Sequence, residues 1–448
     1  MNKLIEQSGS DAGSTKRVQL APHVLVACVL LFPFLIPPFA RSSIAQLLFS
    51  LSSAIPLFIA IFYIASSCRL PNPRVLAIPS VFFFSLFALT LFSLLVDYHR
   101  VVTSDFYELL KPVAFFLVFS LAFLARWDQE RLRSYLIFPL AFLLTLSAVL
   151  AAIEYLPGTL ATAISEIYVR PRGSLQNKSV AVFATPYFAG SVYLFVALVF
   201  LGLYLSIGRL FFLVFFTLGV ALAVSTQSRT VFLTIVVGLP LYLTLYLAFF
   251  NAVKLDRFKP RRVGMVVLSL FGFSLALAVA FVFLRDHLSY LVTGVNYYLL
   301  NLPEHLSKDS GSVGLRMSQI RFAIENNPYI VTGAGIGRSY SPSLESFIAL
   351  YYFRYGLLGI TVYILMWGGG IFVAWRCMRY AQYMGHLYWA GFLFGVVFFI
   401  LLLPILSLSS VITDQVRLYP IYYTMLGVVF AYYNDAVVPG LSGDVPCE

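Results

Sequence analysis

The chain has 448 residues, of which 60% are apolar and only 11% are charged, and its formal net charge is +11. Soluble globular domains carry about 25% charged residues, so this composition excludes an ordinary soluble protein and indicates a membrane protein. The positive charge needs no nucleic-acid partner, because basic loops are what orient membrane proteins.

Apolar stretches of about 20 residues, the length that crosses a bilayer as a helix, recur along the whole chain. They predict an all-α, polytopic membrane protein with about twelve transmembrane helices. Residues 1–21 are a predicted cytoplasmic tail, 22–433 an integral-membrane domain and 434–448 a second cytoplasmic tail. The predicted spans are 22–40, 43–66, 76–96, 108–125, 135–156, 180–206, 210–225, 230–250, 263–284, 345–375, 388–410 and 419–433.

Basic residues in alternate short loops, such as Arg69 with Arg74 and Arg376 with Arg379, set the predicted orientation. The positive-inside rule places these loops in the cytoplasm. We therefore expect a multi-pass membrane protein with these loops and both termini in the cytoplasm. Two long gaps, 157–179 and 285–344, then face the outer side of the membrane, and loops of this length in compact proteins are usually functional.

The second long loop carries a helical pattern that predicts an extracytoplasmic helical subdomain. Its apolar residues recur at helical spacing, and Pro328 is expected to end the helix because the residue before a proline avoids helical torsions. The apolar positions are Val313, Met317, Ile320 and Ile324. We expect an amphipathic helix on the outer membrane surface, with Arg316, Gln319 and Arg321 off the apolar stripe; an ordinary solvated face is the alternative.

A glycine run, Gly333-Ala334-Gly335-Ile336-Gly337-Arg338, follows this helix. A dinucleotide site needs a preceding strand within a βαβ unit, and the sequence shows none. Glycines also permit tight turns whose consecutive N–H groups bind anions. The run is either such an anion-binding nest, with Arg338 beside it, or a simple turn into the next span.

Glu345 lies in the predicted first turn of that span, close to an aromatic band at Tyr351, Tyr352, Phe353 and Tyr355. An acid in the first turn also complements the helix dipole, which is the structural alternative. Among the outer acids we select Glu345 as the candidate catalytic base. Arg354 falls inside the span, where a charge usually faces a cavity or a partner, although it can also snorkel to the surface.

Further arginines are predicted at membrane-proximal positions on the outer side. Arg229 occupies a short turn between two spans, and Arg170 and Arg172 lie in the first long loop. Arginine suits phosphate because its planar fork binds two oxygens at once. Together with Arg316, Arg321 and Arg338, these residues predict a site for an anionic, membrane-anchored ligand on the outer face.

The pattern resembles the O-antigen polymerase and O-antigen ligase superfamily of bacterial inner-membrane glycosyltransferases. The similar features are about a dozen spans, the external loop with "RMSQIRFAIENNPYIVTGAGIGRS", the helix "ESFIALYYFRYGLLGI", and the stretches "RPRGSLQNKS" and "SRT". The resemblance covers roughly residues 165–365. Ligases of this superfamily typically carry a His-Asn pair where this chain reads Glu345-Ser346, so the resemblance favours a polymerase.

The resemblance implies a metal-independent, inverting transfer of a growing glycan from undecaprenyl diphosphate to the next lipid-linked repeat unit. Both substrates would be lipid-linked oligosaccharides at the periplasmic face, with membrane lipid, a chain-length regulator and a flippase as further expected partners and no cofactor. The product would be a polysaccharide such as O-antigen or exopolysaccharide. An O-antigen ligase acting on lipid A-core is the runner-up, and a lipid-linked-sugar transporter or flippase is the rival from another class.

The residues suggest a division of roles within that chemistry. Glu345 is expected to accept the proton of the acceptor hydroxyl, and Arg316 and Arg338 to stabilise the departing diphosphate. His287 and His305, in the large loop, rank below Glu345 as alternative bases, and no metal-ligand spacing is present. The expected substrate-binding residues are Arg170, Arg172, Arg229, Arg321, Tyr340, Arg354, Gly335 and Gly337.

Overall fold

The structure is a computed structural model. The predicted span 43–66 and the loop 157–179 lie almost wholly outside the described residues, as does the loop 285–344 apart from its helix, the turn after it and Leu344. The residues described are 12–35, 58, 61–64, 72–96, 98–155, 159, 181–183, 185–251, 262–268, 270–272, 312–336, 344–408, 410–414 and 418–439.

Every regular element among these residues is a helix, and seven helices are long and apolar enough to cross a membrane. The predicted all-helical, polytopic class is therefore confirmed, while the count of twelve spans stays a prediction. Three other apolar helices, Pro22–Leu35, Leu210–Ser225 and Arg262–Gly272, are shorter. The labelled helices are α1 (Ala12–Leu35), α2 (Pro73–Val96), α3 (Tyr107–Leu124), α4 (Phe138–Tyr155), α5 (Pro186–Ile207), α6 (Leu210–Ser225), α7 (Arg229–Asn251), α8 (Ser312–Glu325), α9 (Phe347–Tyr383), α10 (Leu387–Ser407) and α11 (Tyr419–Tyr432).

The core is centred on α5 and α10, which are the most deeply buried of the long helices. Glycines let their backbones touch: Gly202 of α5 faces Gly391 of α10, and Gly395 faces Val199. Small residues at such crossings are typical of membrane helices, whose association depends on close packing rather than on a hydrophobic driving force. This pair forms the scaffold around which the other helices pack.

Contacts between helix ends agree with the predicted alternation of chain direction. At the end expected in the cytoplasm, the His23 imidazole donates to the carbonyl of Arg126 (2.7 Å), and the amide of Asn72 donates to Asn434 (3.0 Å). At the opposite end, the amide of Ala181 donates to Glu154 (3.1 Å). Which end faces the periplasm stays a prediction based on charge.

Helix α9 is 37 residues long and is interrupted at Gly356, whose φ of 62° and ψ of −156° are not helical. The sequence predicts one continuous span over 345–375, so the break is a correction. It divides α9 into a short segment, 347–355, and a long segment, 357–383. From Gly356 to Arg376 is about 30 Å of helix, the thickness of the hydrocarbon core, which puts the break close to one membrane boundary.

Candidate functional site

The turn that follows α8 lies against the break in α9 and completes its hydrogen bonding. A break frees backbone groups that would otherwise bond within the helix. Here the amides of Leu357 and Leu358 donate to the carbonyls of Ile330 and Val331, at 3.0 and 3.1 Å. The start of the long segment is therefore capped by another part of the chain.

The glycine run supports the end of the short segment in the same way. The amide of Ala334 donates to the carbonyl of Phe353 (2.7 Å), and the amide of Gly333 donates to Tyr329 (2.7 Å). The Asn327 side chain donates to the carbonyl of Tyr352 (3.0 Å). The anion-nest interpretation is thus wrong for Gly333 and Ala334, because their N–H groups are already bonded to protein.

Close backbone contact explains why glycine stands on both sides of this junction. Gly333 has a φ of 82°, and a Cβ there would lie 2.5 Å from the carbonyl of Arg354. A Cβ on Gly356 would meet the backbone of Ile330 at 2.6 Å. Both residues also occupy the left-handed region that side chains avoid.

Helix α8 packs on the short segment of α9 through a small apolar cluster. Its members are Ala323, Leu344, Ala349 and Phe353, and the rings of Phe322 and Phe353 lie 5.6 Å apart. The sequence predicts α8 correctly, including its end before Pro328. This packing brings Arg316 of α8 beside Glu345, which lies two residues before the first residue of α9.

A polar cluster, which we call the Arg316–Glu345 site, forms where α8 meets the start of α9. The Arg316 guanidinium makes an ion pair with the Glu345 carboxylate, 29 residues further along the chain. Gln319 Oε1 accepts from Arg316 (3.3 Å) and from the amides of Glu345 (3.2 Å) and Ser346 (3.3 Å). Gln319 thereby caps the N-terminus of α9 and fixes the arginine relative to the carboxylate.

The two charged groups differ in exposure. The Arg316 side chain is 13% exposed and the Glu345 side chain 48%, so the carboxylate can meet a ligand from solvent while the guanidinium lies beneath it. Arg316 Nε and Ser346 Oγ are both buried and have no hydrogen-bond partner among the residues that the structure describes. The site thus retains unused hydrogen-bonding groups beside a reachable carboxylate.

Arg354 belongs to a different cluster. It pairs with Glu108 at 3.3 Å, and Lys111 lies 2.7 Å from the same carboxylate oxygen. Its backbone carbonyl accepts from the Ser93 hydroxyl (2.7 Å). Glu108 is only 2% exposed, so this is a buried charge cluster joining α3 to α9. Glu108 and Lys111 are not among the predicted site residues, although charges within a predicted span, 108–125, are the signal that identifies such sites.

The structure describes three further candidate residues. Arg321 is exposed, five residues after Arg316 and therefore about 140° away around α8. Arg229 is partly buried at the first residue of α7. Gly335 is buried, with a φ of 109°.

The aromatic band of α9 is mostly internal. Tyr351, Phe353 and Tyr355 are buried, and the hydroxyls of Tyr351 and Tyr363 lie 2.7 Å apart. These three rings fill the protein core and are therefore not available to pack on sugars. The sequence does not distinguish the two roles, since aromatic residues at helical spacing serve both.

Several predicted residues lie outside the described part of the chain, so the structure does not place them. They are Arg170, Arg172, Gly337, Arg338, Tyr340, His287 and His305. Within the described residues, no group of three or more His, Cys, Asp or Glu side chains is arranged to hold a metal ion.

The chain matches no known protein family and is not significantly similar to any curated protein.

Proposed function

We propose that the protein is a polysaccharide polymerase that acts at the periplasmic face of the inner membrane. Its substrates are glycans linked to undecaprenyl diphosphate. The observation that supports this best is the pairing of Arg316 with Glu345 across 29 residues, at the edge of a membrane-spanning helix. A cation suited to phosphate and a carboxylate suited to proton transfer are the two groups that such a reaction requires.

The chemistry follows from these two groups. The acceptor hydroxyl of one lipid-linked unit attacks the anomeric carbon of the donor, and its proton passes to Glu345. The bond between the anomeric carbon and the diphosphate oxygen breaks, and undecaprenyl diphosphate leaves with the bonding electrons. Arg316 stabilises the charge on the departing diphosphate. The glycan is then longer and is carried by the acceptor's lipid.

The ion pair itself suggests how the substrate activates the site. While Glu345 is bound to Arg316, its Oε2 is engaged in the ion pair and only its other oxygen is open to a hydroxyl. A diphosphate offers the guanidinium a doubly charged ligand with a matching bidentate geometry. Exchange of the carboxylate for the diphosphate would occupy Arg316 and release Glu345 in one step.

The decisive experiment is reconstitution of the purified protein with a lipid-linked repeat unit. A polymerase produces a ladder of products, whereas a ligase, given lipid A-core, produces a single addition. Glu345→Gln keeps the side-chain size but cannot accept the proton, so we expect the rate to fall about 10²-fold or more. Glu325→Gln, at an exposed glutamate at the end of α8, is the matched control for loss of a surface carboxylate. A ladder formed at the unchanged rate by Glu345→Gln would refute the proposed role of this residue.

A lipid-linked-sugar transporter is the second candidate, and one observation favours it. Transporters often use interrupted helices beside buried charges, and α9 is interrupted two residues after Arg354, which pairs with the buried Glu108. Uptake of a labelled lipid-linked sugar into sealed vesicles, without elongation of the glycan, would support this function over the polymerase.

A further inference from the structure

The turn at residues 329–332 has a surface that is unusual for a loop tip. The side chains of Tyr329, Ile330 and Val331 are 55%, 59% and 55% exposed, and residues 326–337 contain no charged side chain. Loop tips in water are built from polar residues and glycine, and three consecutive exposed apolar residues indicate a specific role.

The three carbonyls at the tip of this turn are hydrogen-bonded within the protein. The carbonyl of Tyr329 accepts from Gly333, that of Ile330 from Leu357, and that of Val331 from Leu358. In hydrocarbon, backbone polar groups must be bonded within the protein, because lipid offers no hydrogen bonds. The three carbonyls at the tip therefore have no need of water.

The turn is also continuous with a surface that faces lipid. Its hydrogen bonds join it to Leu357 and Leu358, which are exposed at the start of the long segment of α9. Ile364 and Leu365 continue the exposed apolar surface along this helix. The break lies about one hydrocarbon thickness from Arg376, which places the turn at the boundary of that layer.

We infer that the 329–332 turn is embedded in the lipid of the outer leaflet, with Tyr329, Ile330 and Val331 among the acyl chains close to the headgroups. The partner is the bilayer itself. The turn anchors the region between α8 and α9, and it holds the Arg316–Glu345 site next to the membrane surface. This inference does not depend on the proposed glycosyl transfer, since it concerns depth in the membrane alone.

Spin labels in proteoliposomes test this inference. Single cysteines replace Ile330 or Val331 in the full chain, from which the four native cysteines have been removed, and each carries a nitroxide. Leu365→Cys is the lipid-facing control, about 14 Å along α9 from the break, and Glu325→Cys, exposed at the end of α8, is the water-facing control. Collision rates with apolar oxygen and with a water-soluble nickel chelate report depth.

We expect both turn labels to favour oxygen over the nickel chelate severalfold more than the Glu325→Cys label does, and less than the deeper Leu365→Cys label does. A ratio equal to that of the Glu325→Cys label at both positions would overturn the inference, because the turn would then lie in water. Low collision rates with both reagents would also overturn it, since a second protein surface would then cover the turn. Two label positions guard against distortion by one label, and both replaced side chains are exposed.

Discussion

The guanidinium of Arg316 holds two acceptors at once: Glu345, with which it forms the ion pair, and the amide oxygen of Gln319. This arrangement needs the planar fork of arginine, because an ammonium group is a single point of charge. The side chain at 316 is therefore defined by geometry as well as by charge.

Substitutions of Arg316 separate the effect of its charge from the effect of its planar, two-pronged geometry. We expect Arg316→Ala to lower the rate of glycan elongation about 10²-fold or more, as loss of a group that stabilises the leaving charge does elsewhere. Arg316→Lys keeps the charge and loses the fork, so its rate should lie between those of the wild type and the alanine variant. The measurement is the initial rate in the reconstituted assay. Equal rates for wild type and Arg316→Ala would show that the diphosphate is bound elsewhere.

Gln319 is a positioning residue at the same site. Its Oε1 accepts from the amides of Glu345 and Ser346, and Gln319→Leu would leave these two N–H groups without that acceptor. We expect a loss of about 1–3 kcal/mol in unfolding free energy, measured by denaturation in detergent. Gln319→Glu keeps an acceptor at this position and should recover most of that stability. If both variants were as stable as wild type, solvent would be capping α9 equally well.

At the level of the helices, the junction between the 329–332 turn and the break in α9 holds the site together. Gly356 occupies a region of φ and ψ that is essentially reserved for glycine, and its position faces the backbone of Ile330 and Val331. The break is thus a fixed structural feature, and it depends on the absence of a Cβ atom at Gly356.

Alanine substitutions along α9 test this dependence with a control in the same helix. Gly356→Ala should destabilise the protein by about 2 kcal/mol or more, from backbone strain and from the clash with the turn. Gly368→Ala should be neutral or stabilising, because a Cβ there meets nothing within 4 Å and alanine favours the helix. Thermal unfolding of both variants in the same detergent is the measurement. A Gly356→Ala protein as stable as Gly368→Ala would mean that the helix can run straight.

The sequence predicts α8 well, because amphipathic spacing and Pro328 are local signals. It places Glu345 in the first turn of α9, whereas the helix begins at Phe347 with Ser346 as its N-cap, so Glu345 lies just before the helix. It does not predict the break at Gly356, because a glycine within an apolar run is common and only the contact with Ile330 and Val331 makes it necessary. The pairing of Arg316 with Glu345 likewise depends on how two helices pack. The sequence shows that both residues are polar and near the membrane, but it does not contain the distance between them.

For the whole molecule, the contacts between helix ends define two opposite faces of the helical bundle. The Arg316–Glu345 site lies at the start of α9, and Tyr383 lies at its other end, beyond one membrane thickness. The proposed elongation takes place at the periplasmic face, and the charge pattern predicts that the site faces this compartment.

Cysteine labelling in intact cells decides the orientation. Glu325→Cys, near the site, and Tyr383→Cys, 82% exposed at the far end of α9, are each treated with a maleimide that does not cross the inner membrane. With the outer membrane permeabilised, we expect the Glu325→Cys protein to be labelled at once. The Tyr383→Cys protein should be labelled only after the inner membrane is opened. The reverse pattern would place the carboxylate and the guanidinium in the cytoplasm, where the arginine-rich loops were assigned, and both the topology and the periplasmic polymerase would have to be abandoned.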